Sequence, residues 1–301
     1  MDQIDIRVSV LLSTCNRCDK LRLFLEAMKT GGSFGLKSTE VLVVDNNSSD
    51  ATKQVVAEYL HLENPSFRYL RDDKPGKSRA LNTAIRQARG DIIAFTDDDC
   101  IPDSGWVDGI LKEFDSDPEL SVLGGRVELY DPNDTHQATL LSNSRTLVKT
   151  AKGACHPPTI IGANMSFRRA VLDVTRGFDP VLGPGTICKA AEDLDLIYRS
   201  LRKHFKIAYS PDVVVFHNHG RRTEAEDNKT SRAYALGRGA FYFKFLLRLD
   251  VQVAMVALGE VFNLVRTLAK GMITRKRFSY HRLTLPALFR GAFYYCRAQF
   301  Q

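Results

Sequence analysis

Three consecutive carboxylates, Asp97-Asp98-Asp99, follow a short apolar run, Ile92 to Phe95. The run reads as a buried strand entered from the Gly90-Asp91 turn. Like charges at the carboxyl end of a buried strand repel one another and are costly to desolvate, and a cation relieves both. Oxygen ligands suit Mg2+ or Mn2+, ions that commonly carry phosphates. In open α/β sheets, ligands sit outside the carboxyl ends of strands. The trio therefore points to a metal-phosphate site, set against the plainer reading of a solvated acidic turn.

The elements that must position this trio are legible around it. Arg7 to Ser13 is a Val- and Leu-rich strand, followed by a helix over Asp19 to Lys29 with Leu21, Phe24, Leu25 and Met28 on one face. Glu40 to Val44 is a second buried strand, ending in Asp45, and the next helix starts from an N-cap at Ser49 or Asp50. Phe67 to Leu70 is a short strand, Lys74-Pro75-Gly76 a turn, and Ser78 to Ala88 a helix. Strand alternating with helix predicts a parallel sheet covered on both faces. Ser13-Thr14, Asp45 and Asp97-Asp98-Asp99 then share one rim, a convergence that independent strands rarely reach by chance.

Further along, Asp103 to Phe114 is a predicted helix and Leu120 to Leu129 a strand. Tyr130 to Pro158 is polar and irregular, with a helical expectation for Leu140 to Val148. Ile160 to Phe167 resumes the sheet, and Leu182 to Ala190 is a glycine-bearing loop able to move. Glu192 to Arg202 is a helix, and Ile207 to Tyr209 and Val213 to Phe216 are two late strands, the second leading into His217-Asn218-His219.

Composition adds an asymmetry. The net charge is +7, yet residues from Lys229 onward carry 13 Lys and Arg against Asp250 and Glu260, leaving a mildly acidic body. This basic tail reads as helical from about Thr230, and its longest uncharged run, Val251 to Gly259, falls short of the roughly 20 apolar residues of a membrane span. Helices lying on an anionic membrane surface, or packing on the body, fit it. Arg275-Lys276-Arg277 is expected to be a solvated helical face, not a nucleic-acid patch. The N-terminal MDQIDIR carries acids and no leader pattern. Six scattered cysteines suit reduced thiols in a cytosolic setting, and Cys15-x-x-Cys18, with no second pair, is not expected to bind zinc or do redox chemistry.

The blocks VSVLLSTCNR, VLVVDNNSSDAT, GKSRALNTAIRQARGDIIAFTDDDC, IIGANMSFRR and AAEDLDLIYR, in that order, resemble family-2 glycosyltransferases. The resemblance covers about residues 7 to 219. It implies a GT-A, Rossmann-like, mostly parallel sheet with helices on both faces, followed by a basic α-helical extension. The implied division is a catalytic domain over 1–228, with a nucleotide-sugar half to about 100 and an acceptor half beyond it, and a tail over 229–301. Thr14 and Asp45 match the strand ends that hold the nucleobase, Asp45 suiting a uracil-type N–H. Lys77 and Arg79 match a basic segment near the nucleotide, with Asn82 one helical turn on. Asp97 and Asp99 match the DxD carboxylates that meet the donor and the metal, and Asp98 lies between them. Asn164 matches a donor-sugar or acceptor contact, and His217 a histidine that closes the metal and diphosphate site. Glu192-Asp193 matches the acidic pair whose second member is the catalytic base.

The implied reaction needs these types. Charge develops on a leaving diphosphate, which a divalent ion (Mn2+ or Mg2+) and a lysine or arginine stabilise, while a carboxylate takes the acceptor proton. In-line attack inverts the anomeric centre. The Gln-x-x-Arg-Trp block of processive synthases is absent, since Trp106 is the single tryptophan, so single-sugar transfer is expected. A UDP-sugar donor, a sugar or lipid-linked acceptor in polysaccharide, glycolipid or glycoconjugate synthesis, and a cytoplasmic protein peripheral to the inner membrane face complete the expectation, with no nucleic-acid partner. The alternatives are a sugar-nucleotide nucleotidyltransferase, which would need a glycine-rich phosphate loop where Ser13 to Arg17 stands, and a non-catalytic protein acting through its basic tail.

Overall fold

The computed structural model describes residues 5–31, 36–63, 65–155, 159–274 and 279–299. Among these, nine strands form one sheet in the order β3-β2-β1-β4-β8-β6-β9-β5, with β7 paired to β9. Its first half is β1 (Val8–Thr14), α1 (Cys18–Thr30), β2 (Thr39–Asp45), α2 (Thr52–Ala57), β3 (Ser66–Arg71), α3 (Lys77–Gln87) and β4 (Ile92–Thr96). These four strands run parallel.

The second half is β5 (Cys100–Pro102), α4 (Trp106–Ser116), β6 (Leu120–Leu129), β7 (Thr146–Leu147), α5 (Ala151–Cys155), β8 (Asn164–Arg168), α6 (Arg169–Thr175), α7 (Glu192–Arg202) and β9 (Lys206–His217). Here β8 runs antiparallel between β4 and β6, so it enters the sheet at the rim where β4 leaves it.

Alternation along the central strands explains the layering. Val8, Val10 and Leu12 pack with Leu21, Phe24 and Leu25 of α1 and with Trp106, Ile110 and Phe114 of α4. Leu11, Leu42, Val44, Ile93 and Phe95 face the opposite layer, built from α3, α5, α6 and α7. Both faces of the parallel half are dry, as its continuous apolar runs require. Each fully buried Leu or Phe contributes about 1.5–3 kcal/mol.

Three local expectations are corrected. Leu140 to Val148 is not helical: Leu140 bridges Val127, Thr146 and Leu147 pair with Tyr209 and Ala208, and Val148 N donates to Ile207 O at 2.9 Å. Sheet edges capture that backbone. The two late strands are one, β9, whose register against β6 shifts at Gly125/Arg126. The N-cap of α2 is Ala51, with the Asp50 carboxylate accepting from Thr52 N at 3.1 Å.

Three helices complete the chain: α8 (Glu224–Leu246), α9 (Val251–Thr274) and α10 (Ser279–Ala298). A Thr223/Glu226 capping box and acids in the first turn start α8, four residues before the expected domain boundary. Ala235, Phe241, Tyr242 and Phe245 of α8, Val253 of α9 and Leu288 of α10 belong to the same core as α3 and α7. The tail thus packs on the body through one side. Gly237 and Gly239 point to opposite sides of α8. A Cβ on Gly237 would lie 2.5 Å from the Ala190 carbonyl carbon, and one on Gly239 would lie 1.9 Å from Leu288 O of α10. The Gly237-x-Gly239 pair serves close packing. The span estimate needs revision: Val251–Lys270 is long and apolar enough to cross a membrane by length and composition, which the uncharged-run count missed because Glu260 and Arg266 interrupt it. The Arg275-Lys276-Arg277 run lies outside the described residues.

Candidate active site

Register places the predicted rim residues side by side. Thr14 pairs with Asp45, and Asp45 with Arg71. On the antiparallel side Thr96 pairs with Asn164, and Cys100 with His217. The acidic trio lies between these ends.

Each member of the trio has its own counter-group. The Lys77 ammonium, at the start of α3, donates to Asp97 Oδ1 and lies 3.5 Å from Glu192 Oε1. Burial would lower the Lys77 ammonium, but the Asp97 and Glu192 charges hold it well above its ordinary value. Thr14 Oγ1 donates to Asp98 Oδ2 at 2.7 Å, and Arg17 Nη1 donates to Asp98 Oδ1 and Asp99 Oδ2, each at 3.0 Å. Burial pushes the Asp98 carboxyl up to about 6 against the pull of Arg17. Burial acts on Asp99 in the same sense, but the His217 contact at 3.4 Å and Arg17 hold it well below the usual carboxylate range. The same contact raises the His217 imidazole despite burial.

A divalent ion fits this corner. Asp99, His217 and Cys100 present ligand atoms within 4.8 Å of one another. His217 Nδ1 lies 3.3 Å from Ala138 O, a contact that leaves Nε2 as the coordinating atom toward Asp99. Burial pushes the Cys100 thiol well above its ordinary value, so it stays protonated and is a poor ligand for a hard ion. Carboxylate oxygen and imidazole nitrogen remain, suited to Mn2+ or Mg2+. The predicted trio Asp97, Asp99 and His217 is brought together in part: Asp97 faces Lys77, while Asp97 and His217 both line one cavity.

That cavity, about 400 Å3, is also lined by Lys77, Gly162, Lys189, Glu192, Asp193, Tyr234 and Arg238, and by apolar Cys155, Ile160, Ile161 and Leu194. Asp193 Oδ2 accepts from Gly162 N at 2.8 Å, and a Cβ on Gly162 would lie 3.0 Å from that oxygen. Full burial pushes the Glu192 carboxyl up to about 7, with Lys77 pulling against it. Ala191, before the pair, sits at φ 73, a strained conformation of the kind found where function fixes the backbone. The 182–190 loop is fastened to α3: Lys77 N donates to Pro184 O at 3.0 Å and Ser78 Oγ to Leu182 O at 2.6 Å.

At the other end, Asp45 accepts from Ser48 N at 2.7 Å, Tyr69 Oη at 2.6 Å and Arg71 Nη1 at 3.1 Å. Arg79 is tied to Asp72, whose N donates to Asp45 O at 2.9 Å. Two of the expected donor-contact residues are engaged within the protein. The Asn82 side chain both donates to and accepts from the Phe178 backbone at 2.8 Å. Asn164 Oδ1 accepts from Trp106 Nε1 at 2.9 Å and Nδ2 donates to Arg126 O and Val213 O, so its amide clamps the β6–β9 irregularity. Both amides have protein partners at oxygen and nitrogen alike.

Sequence reading missed Arg17, Arg71, Tyr234 and Arg238. The strand-end rule extended to β3 would have found Arg71, and the trio's need for a cation pointed to a partner such as Arg17. No local signal marks Tyr234 or Arg238, which reach the cavity from α8.

A parallel half joined to a mixed half, with carboxylates at their shared rim, defines the GT-A class of fold. The sequence profile named "Glycosyl transferase family 2" matches residues 9–175, and the chain belongs to that family. It is 32% identical to glycosyltransferase AglE of Haloferax volcanii over 126 residues, 42% of this chain and 41% of that one. It is 25% identical to a pre-mycofactocin glycosyltransferase of Mycobacterium tuberculosis over 245 residues, 77% of this chain and 47% of that one. The chain thus spans less than half the length of these curated relatives. In fold it is similar to mannosyltransferase PcManGT of Pyrobaculum calidifontis, solved with GDP-Man and Mn2+, at TM-score 0.66 and 19% identity over 98% of this chain and 88% of that one. S. aureus TarS residues 1–349, solved with UDP-GlcNAc, gives TM-score 0.58 and 20% identity over 77% of this chain and 66% of that one.

Proposed function

We propose that the chain moves one sugar from a nucleotide-diphosphate donor to an acceptor hydroxyl with inversion. The observation that carries this reading is that Asp193 shares a single cavity with Asp97, Lys77 and His217. The acceptor hydroxyl gives its proton to Asp193, whose Oδ2 is aimed by Gly162 N–H. Glu192 and Lys77 shape the field around it, and Lys77 opposes charge on the leaving diphosphate. Asp99 and His217, with Asp97 nearby, would hold a divalent ion, which when bound supplies further positive charge at that diphosphate. The nucleobase lies at the Thr14, Asp45 and Arg71 end, uracil being the favoured base.

The outer face of α9 supports a membrane-surface location. Val251, Met255, Leu258, Phe262 and Val265 recur at heptad-like spacing and are exposed, with Phe289 and Phe293 of α10 nearby in kind. Exposed Arg248, Arg266, Lys270 and Arg290 border them. An apolar stripe among cations suits anionic lipid, and a lipid-linked acceptor follows naturally.

The experiment is transfer from UDP- and GDP-sugars to lipid-phosphate and sugar acceptors, the product's anomeric configuration read by NMR. An inverted product from wild type, and a loss of about 100-fold or more in Asp193→Asn with unchanged nucleotide binding, is expected. A retained configuration, or full activity in that variant, would contradict the reading.

A further inference from the structure

Beyond the residues assigned above, one arginine carries buried donors that no hydrogen bond meets among the described residues. Arg221 Nε and Nη2 are buried and have no hydrogen-bond partner among the described residues. The surrounding loop is otherwise fully tied. Asn218 N donates to Asp99 O at 2.7 Å, Gly220 N to Asp134 Oδ2 at 2.7 Å, and Arg221 N to His219 Nδ1 at 3.0 Å. Neighbouring Arg222 pairs with Asp131 and Asp134.

The guanidinium is within electrostatic reach of a side chain that lines the cavity. Its charge acts on the Tyr234 hydroxyl, as do those of Asp193, Asp97 and Glu192. Tyr234 lines the cavity, and the loop carrying Arg221 leaves β9 at His217, the Asp99 partner. Arginine does not shed its proton, so its two buried, unmet donors are met most strongly by an anion. A resting place with two unmet donors favours reorientation onto an arriving oxyanion, and the guanidinium fork matches phosphate.

We propose that Arg221 is a phosphate-binding residue for the donor, contacting the diphosphate that leaves. This rests on the nucleotide-diphosphate donor proposed above. In the transfer step the bond from the acceptor oxygen to the anomeric carbon forms, and the bond from that carbon to the phosphate oxygen breaks. The electron pair stays on the phosphate oxygen and the acceptor proton goes to Asp193. Arg221 donates hydrogen bonds to the diphosphate as its charge grows.

The test is calorimetric binding of UDP, UMP, GDP and GMP, with Mn2+, to wild type, Arg221→Gln and Arg221→Lys, alongside thermal melts. The expected result for Arg221→Gln is a diphosphate affinity about 10- to 100-fold weaker, a monophosphate affinity within about threefold of wild type, and no loss of melting temperature. Arg221→Lys should recover part of the diphosphate affinity. An unchanged ratio of diphosphate to monophosphate affinity would overturn the proposal. So would a parallel fall of both with a lowered melting temperature, which would make Arg221 structural. A folded wild-type protein that bound no nucleotide would instead overturn the donor reading, and this assignment with it.

Discussion

At the scale of single residues, the acidic trio is a set of charges balanced by Lys77, Arg17 and His217. Arg17 joins Asp98 to Asp99, which no other cation bridges among the described residues. Arg17→Ala should destabilise the folded protein by about 1–3 kcal/mol, the value for breaking a buried pair discounted for a half-exposed arginine. Mn2+ should raise the melting temperature of that variant more than that of wild type, because a divalent ion replaces the missing charge; an equal shift in both would count against the metal corner. Glu192 gives a pH signature. Its folded carboxyl is pushed up to about 7, above its unfolded value, so ionising it costs stability as pH rises through that window. Glu192→Gln should match wild type near pH 5 and gain on it by pH 8, as read by denaturant midpoints. A gap independent of pH would show that Glu192 is not held protonated. Thr14, Asp45, Lys77 and the trio were legible because strand ends of a parallel half must converge. The partners of Asn82 and Asn164 were not legible, because an amide near a site has two uses and only packing shows that Phe178, Trp106 and Val213 engage them.

At the scale of elements, the readable parts were those with a strong period and both faces covered. β1, α1, β2, α3 and β4 fall within one or two residues of expectation, because alternating burial and the Leu21, Phe24, Leu25 and Met28 stripe leave little choice. Leu140 to Val148 failed because its leucines are placed by sheet edges from Val127 and β9, partners far away in sequence. The approach of α8 to α10 runs over Gly239 and Gly291, which leave room for the facing backbone. It makes a sharp prediction. Gly239→Ala puts a Cβ 1.9 Å from Leu288 O and should cost about 1–3 kcal/mol or more. Gly259→Ala on α9 meets nothing within 4 Å and should gain up to about 1 kcal/mol from helix propensity. Equal effects in chemical denaturation would mean that α8 and α10 do not pack as described.

At the scale of the whole molecule, the tail and the body are one packed unit, with the cavity on one side and an exposed apolar stripe on the other. Arg238 lines the cavity and bonds Glu260 of α9 at 2.9 Å, while the opposite side of α9 exposes Leu258 and Phe262 at 70% and 66%. Leu258→Glu with Phe262→Glu should reduce co-sedimentation with anionic vesicles severalfold and leave nucleotide affinity unchanged. Undiminished sedimentation would move the membrane contact elsewhere. The most direct test of the central claim is calorimetric binding of UDP, GDP and dTDP to wild type, Asp99→Asn and Asp193→Asn, each with Mn2+ and with EDTA. One diphosphate should bind wild type and Asp193→Asn equally, and its binding should weaken about tenfold or more with EDTA or in Asp99→Asn. Binding of no diphosphate by the folded protein, or binding indifferent to both EDTA and Asp99, would contradict it.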